Sequence, residues 1–75
     1  MKNLTRHGIE CLLVEEGVKS IVQPEVDREQ RGELTGLGYQ IQALAQRWDA
    51  DPHSVLEFFQ ETSPCAKRIL KKEGH

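Results

Sequence analysis

Leu34, Leu37, Ile41, Leu44 and Trp48 stand 3, 4, 3 and 4 residues apart, and this spacing constrains the fold more than any other feature of the chain. At 3.6 residues per turn the five side chains share one stripe, so residues 34–48 predict an amphipathic α-helix with one face to bury. Gly36 and Gly38 weaken its opening, which places the firm part of the helix from about Gly38 onward. Small residues flank the stripe at Gly38 and Ala45, where a second helix can come close.

Two further helices follow from punctuation. Asp51-Pro52 offers a carboxylate that can accept a backbone N–H, then a proline where a missing donor is harmless. A helix over residues 52–61 then presents Val55, Phe58 and Phe59 to a core. Ser63-Pro64 repeats the device ahead of a helix over residues 64–72, whose apolar side is Cys65, Ala66, Ile69 and Leu70. Its last turn carries Lys67, Arg68, Lys71 and Lys72, which suit the helix dipole, and Gly74 is placed to cap it.

Ahead of the stripe the pattern is less decisive. Residues 9–22 hold two apolar clusters on a helical wheel, Ile9, Leu12 and Leu13, then Val14, Val18, Ile21 and Val22. They read as a helix sandwiched between neighbours or as a β-hairpin turning at Glu15-Glu16-Gly17. Gln23-Pro24 breaks the pattern, and residues 25–33 carry six charges with Val26 as the one apolar residue, the composition of a solvated linker or an exposed first turn. The expected fold is all-α, a single domain over residues 1–75 built as a compact bundle of three to four short helices. The alternative is an α+β fold with an N-terminal hairpin at residues 9–22.

A chain of 75 residues hides only about 60% of its unfolded surface on folding, so the core is thin and a deep catalytic cleft is not expected. Its net charge is -2, distributed as five Lys/Arg against seven Asp/Glu in residues 1–33, one against four in residues 34–62, and four against one in residues 63–75. An acidic middle with a short basic tail is not the broad basic footprint of a protein that grips phosphates regardless of sequence. The two cysteines, Cys11 and Cys65, are too few for a disulfide scaffold and read as reduced thiols in the cytoplasm. The apolar run at residues 11–14 is too short for a signal peptide, and no stretch is long enough to span a membrane.

Leu44, Ala45 and Trp48, the Asp-Pro-His-Ser-Val run at residues 51–55, and Phe58 resemble the helix-turn-helix motif of DNA-binding regulators. Ala45 stands where two helices would cross, with Val55 and Phe58 packing the second helix back. In this sequence Asp49 replaces the turn glycine usual in that motif. The resemblance implies a transcriptional regulator with His53, Glu57 and Gln60 near bases and Lys67, Arg68, Lys71 and Lys72 near phosphates. Against it, the outward side of that second helix carries carboxylates.

Other chemistry is thinly represented. His7 and Cys11 share a helical face, yet no Cys-x-x-Cys or close His pair marks a zinc site, so no metal or other cofactor is expected. No nucleophile has a base and an orienting group beside it in sequence. The residues therefore point to binding and not to catalysis: a small cytoplasmic regulatory or adaptor protein working through a protein partner or self-association. Leu34, Leu37, Ile41, Trp48 and Phe58 are the candidate contact residues, because large apolar and aromatic side chains anchor interfaces.

Overall fold

The computed structural model describes residues 5–75, the side chains of Arg6, Glu15 and Glu16 aside. Among these residues the chain forms α1 (Arg6–Leu12), α2 (Glu15–Gln30), α3 (Leu37–Arg47), α4 (Pro52–Thr62) and α5 (Pro64–Lys72), with no strand. The all-α expectation holds, with five helices where three to four were expected.

The punctuation works as elementary capping requires. The Asp51 carboxylate accepts from the Ser54 amide at 3.2 Å and from the Ser54 hydroxyl at 3.0 Å, with Pro52 opening α4. Ser63 Oγ accepts from the Ala66 amide at 3.3 Å, with Pro64 opening α5. Each cap satisfies one of the amides that a helix start leaves without an internal partner.

Three helix ends share one stop. After α2, α3 and α5 the chain turns through a left-handed residue, Gly32 (φ 75°), Asp49 (φ 54°) and Gly74 (φ 97°). The next amides reach back six residues inclusively, Glu33 to the Arg28 carbonyl at 2.9 Å, Ala50 to Ala45 at 2.8 Å and His75 to Leu70 at 2.9 Å. This is the Schellman arrangement. Glycine accepts the conformation freely, and aspartate is among the few other residues that tolerate it.

The N-terminal half departs from its sequence reading. Residues 9–22 are neither one helix nor a hairpin: α1 ends at Leu12, and Val14 is extended before α2 begins. Glu15-Glu16-Gly17 is the first turn of α2, closed by the Gly17 amide on the Val14 carbonyl at 2.8 Å. The break resolves the two apolar clusters by re-aiming the chain, so that Ile9 and Leu13 reach the core from one direction and Val18 and Val22 from another, leaving Leu12 and Val14 exposed.

α2 also runs through Pro24 and the segment expected to be a linker. An interior proline costs about 3 kcal/mol through its missing N–H and its clash with the preceding turn. Val18, Val22 and Val26 are all buried along one ridge of the helix, and each contributes roughly 1.5–3 kcal/mol by leaving water. Continuation therefore wins, and the exposed position of Pro24 and Ser20 keeps the defect on the solvent side.

The core gathers Ile9 and Leu13, the α2 valines, Leu37, Ile41 and Ala45 of α3, Val55, Phe58 and Phe59 of α4, and Ala66, Ile69 and Leu70 of α5. α3 packs on α4, α4 on α5, α2 against α3, α4 and α5, and α1 on α4. The beginning of α3 consequently lies beside both the middle of α2 and the C-terminal end of the chain.

Candidate functional site

α3 begins at Gly36, whose lack of a side chain leaves the helix without a local cap. Two distant carboxylates supply it. Glu25, mid-α2 and only 1% exposed, accepts from the Gly36 amide at 2.9 Å and from Gln40 Nε2 at 2.5 Å. Glu73, just past α5, accepts from the Leu37 and Gly38 amides, both at 2.9 Å, and from the Thr35 hydroxyl at 2.5 Å. Three consecutive amides at the positive end of the helix dipole thus meet two negative charges.

Burial by itself raises the Glu73 carboxyl pKa, but the hydrogen bonds from Thr35, Gly38 and Leu37, with His75 nearby, outweigh it and hold the group below the ordinary carboxylate range. His75 lies over Gly38, where an added Cβ would collide with the imidazole. Glycine here admits the close approach of the C-terminal turn.

These contacts pin residues 35–38, and beside them lies an open groove of about 580 Å³ lined by Glu33, Leu34, Thr35, Tyr39, Lys72 and His75 among others. Leu34 is 93% exposed and Tyr39 is 79% exposed. Beyond Tyr39 the outward positions of α3 are Gln40, Gln42, Ala43 and Gln46, all exposed, with Arg47 ending the helix. Residues 34–46 contain no Asp, Glu, Lys or Arg in a chain that is 29% charged.

The expected contact residues divide. Leu37, Ile41 and Phe58 are interior, because α4 and α5 complete the stripe within the same chain, so their assignment to a partner surface is corrected. Trp48 is partly buried against the core. Leu34 precedes α3 instead of opening it and is fully presented. Tyr39 escaped the sequence reading, which followed the apolar stripe; it stands on the opposite side of the helix, and the uncharged run was the signal that would have found it.

The residues of the nucleic-acid reading are also dispersed. On α4, His53 and Glu57 are exposed and Gln60 partly so, and the helix carries neither Lys nor Arg. On α5, Lys67 and Lys71 face solvent, while Arg68 and Lys72 hold Glu29 of α2 at 2.5 and 3.2 Å. The Arg68 hydrogen bond, then that of Lys72, keeps the Glu29 carboxyl below its usual range. Half of the basic set therefore ties α5 to α2.

Cys11 and Cys65 are free thiols, and Cys11 Sγ lies 3.8 Å from His7 Nε2 on the α1 surface. Among the described residues no group of three or more His, Cys, Asp or Glu is arranged to hold a metal ion, and no helix is long and apolar enough to cross a membrane. No family model, curated protein or solved structure matches the chain.

Proposed function

We propose that this chain is a small regulatory or adaptor protein that acts by docking protein on the surface formed by Leu34, Tyr39 and the uncharged outward side of α3. The observation that carries the reading is the coincidence of two large exposed apolar side chains with a stretch free of charge. Interface centres are depleted in charged residues and enriched in aromatics, and an exposed apolar patch marks an interaction surface. The carboxylate caps add to this by fixing the loop that presents Leu34, which lowers the ordering cost of binding. Two free thiols suit a reducing, cytoplasmic setting.

The test is a tagged pull-down from native lysate, read for protein and nucleic acid together, with wild type beside Leu34→Ser/Tyr39→Ser. The reading expects a specific protein, or a second copy of the chain, retained by wild type and lost from the variant at equal helix content. Equal recovery by both proteins overturns it.

A second reading, DNA binding through α4, has one observation in its favour. Asp49 adopts the left-handed conformation that the glycine of a helix-turn-helix turn supplies, and the α3–α4 corner closes through it. That reading expects duplex affinity that falls steeply with salt and weakens when Lys67 and Lys71 are neutralised. Absence of binding to any duplex at low salt, in a genomic-fragment selection, would sink it.

A further inference from the structure

No residue enforces the break between α1 and α2. Leu13 and Val14 form the whole connection between Leu12 and Glu15, and neither is a glycine, a proline or a side chain able to cap. Val14 stands as the N-cap of α2 with no side-chain bond to give, a position where apolar residues rank among the poorest. The arrangement also leaves Leu12 50% and Val14 60% exposed.

Straightening that break joins α1 and α2 into one helix over residues 6–30, about 37 Å long. The first amides of α2 then find carbonyls of α1, and both exposed side chains gain apolar neighbours. Val14 falls four residues before Val18, on the ridge that Val18 shares with Val22 and Val26. Leu12 falls beside Ile9 and Leu13. At about 100° per residue the two sets point to opposite sides of the straight helix. The valine ridge is buried in the chain's own core, so Ile9, Leu12 and Leu13 then face away from it.

Detaching α1 breaks one helix contact. Among the described residues it packs on α4 and on no other helix, with a crevice of about 90 Å³ beside the contact, lined by Ile9, Ser54, Glu57 and Phe58. We infer that two copies of this chain exchange α1, each seating its Ile9 and Leu13 on the α4 of the other, with residues 6–30 a continuous helix in both. The exchanged contact is the α1–α4 contact of the single chain, so the structure itself specifies the occupant of the vacated site. Exchange closes after two copies, because each gives one α1 and receives one. A short hinge that makes its helix double back invites this rearrangement. The outward side of α3 takes no part in it.

Refolding the purified full-length chain from urea, at micromolar to millimolar concentration, lets both arrangements form, and sedimentation velocity separates them. Wild type is expected to give a dimer fraction that grows with the concentration during refolding. Val14→Pro should weaken dimerisation by roughly a hundredfold or more. Proline matches the Val14 φ of -71° but breaks a helix that runs through it, so the variant monomer should keep wild-type circular dichroism. Inserting Gly-Ser-Gly between Leu13 and Val14 lengthens the hinge and should likewise favour the monomer.

Isotope-filtered NMR identifies the exchanged element in a dimer refolded from equal amounts of labelled and unlabelled chain. Nuclear Overhauser contacts between the Ile9 methyls of one copy and the Phe58 ring of the other are expected. A wild-type monomer at every concentration, a dimer that persists in Val14→Pro, or Ile9–Phe58 contacts confined within one chain overturns the inference. Val14→Pro leaves Leu34 and Tyr39 in place, so partner retention in the pull-down should be unchanged in this variant, and exchange and docking on α3 stand or fall separately.

Discussion

Replacing Glu73 with alanine removes the shared acceptor of the Leu37 amide, the Gly38 amide and the Thr35 hydroxyl. Loss of a single N-cap side chain costs about 0.5–2 kcal/mol. A buried N–H left without a partner costs about 1–3 kcal/mol, and Leu37 and Gly38 are both buried residues. Glu25 still holds the Gly36 amide, which keeps the loss partial. About 2–4 kcal/mol is expected, against a total of roughly 4–11 kcal/mol for a domain of this size, equivalent to a fall in Tm of roughly 10–25 °C. Thermal unfolding followed by far-ultraviolet circular dichroism and Trp48 fluorescence reads it directly.

Acidification supplies the second arm of the same experiment. Because the folded Glu73 carboxyl is held below its ordinary range, its contribution is fully present above the unfolded-state pKa. It fades as pH falls through the folded one. Wild type should therefore lose stability in acid more steeply than Glu73→Gln, which cannot titrate there. A Glu73→Ala loss under about 0.5 kcal/mol, or acid slopes that coincide for wild type and Glu73→Gln, would refute the capping argument.

Five further variants test other parts of the structure. Leu37→Ala should destabilise by about 2–5 kcal/mol as a core truncation, whereas Leu34→Ser should stay within about 0.5 kcal/mol of wild type; urea unfolding distinguishes them. Pro24→Ala should stabilise α2 by about 2 kcal/mol, the interior-proline penalty less the entropy that proline removes from the unfolded chain, read as a higher urea midpoint at unchanged slope. Asp49→Val should cost about 1–2 kcal/mol, since a β-branched residue resists the left-handed turn, and a thermal scan detects it. Arg68→Ala should move the Glu29 carboxyl back toward its ordinary range by removing the largest cause of its depression, a shift visible in a carboxyl NMR titration.

What the sequence disclosed was local. The stripe expected over residues 34–48, the Asp51-Pro52 and Ser63-Pro64 restarts and the cap at Gly74 each depend on residues within a turn or two of one another, and each stands in the structure except that Leu34 falls before α3. Pro24 misled because its penalty is local, while the burial of Val26 that outweighs it depends on helices far along the chain. Glu25 read as a solvated acid for the same reason: the Gly36 amide that justifies its burial lies 11 residues away. Glu73 is hidden more deeply, since the amides it caps are 35 and 36 residues distant. The stripe established that an inward side exists, but only the assembled core established that α4 and α5 fill it, which withdraws Leu37, Ile41 and Phe58 from the proposed contact surface, keeps Leu34 and adds Tyr39.

That displacement bears on how the surface works. Leu34 and Tyr39 flank a loop held by one carboxylate from α2 and another from beyond α5, and α5 is itself tied to α2 through Glu29, Arg68 and Lys72. The proposed docking surface therefore inherits its geometry from three helices, although α3 and its entry loop alone compose it. Loosening either cap leaves the contact side chains in place but returns conformational freedom to residues 35–38, and binding must then remove it. Backbone ordering costs about 1–2 kcal/mol per residue, so freeing two of those residues would weaken association by roughly thirty- to a thousandfold. Glu73→Gln should accordingly impair docking beyond what any contact of its own explains. Leu34→Ser impairs it with the fold at full stability, and comparing the two variants at equal folded fraction separates presentation from contact.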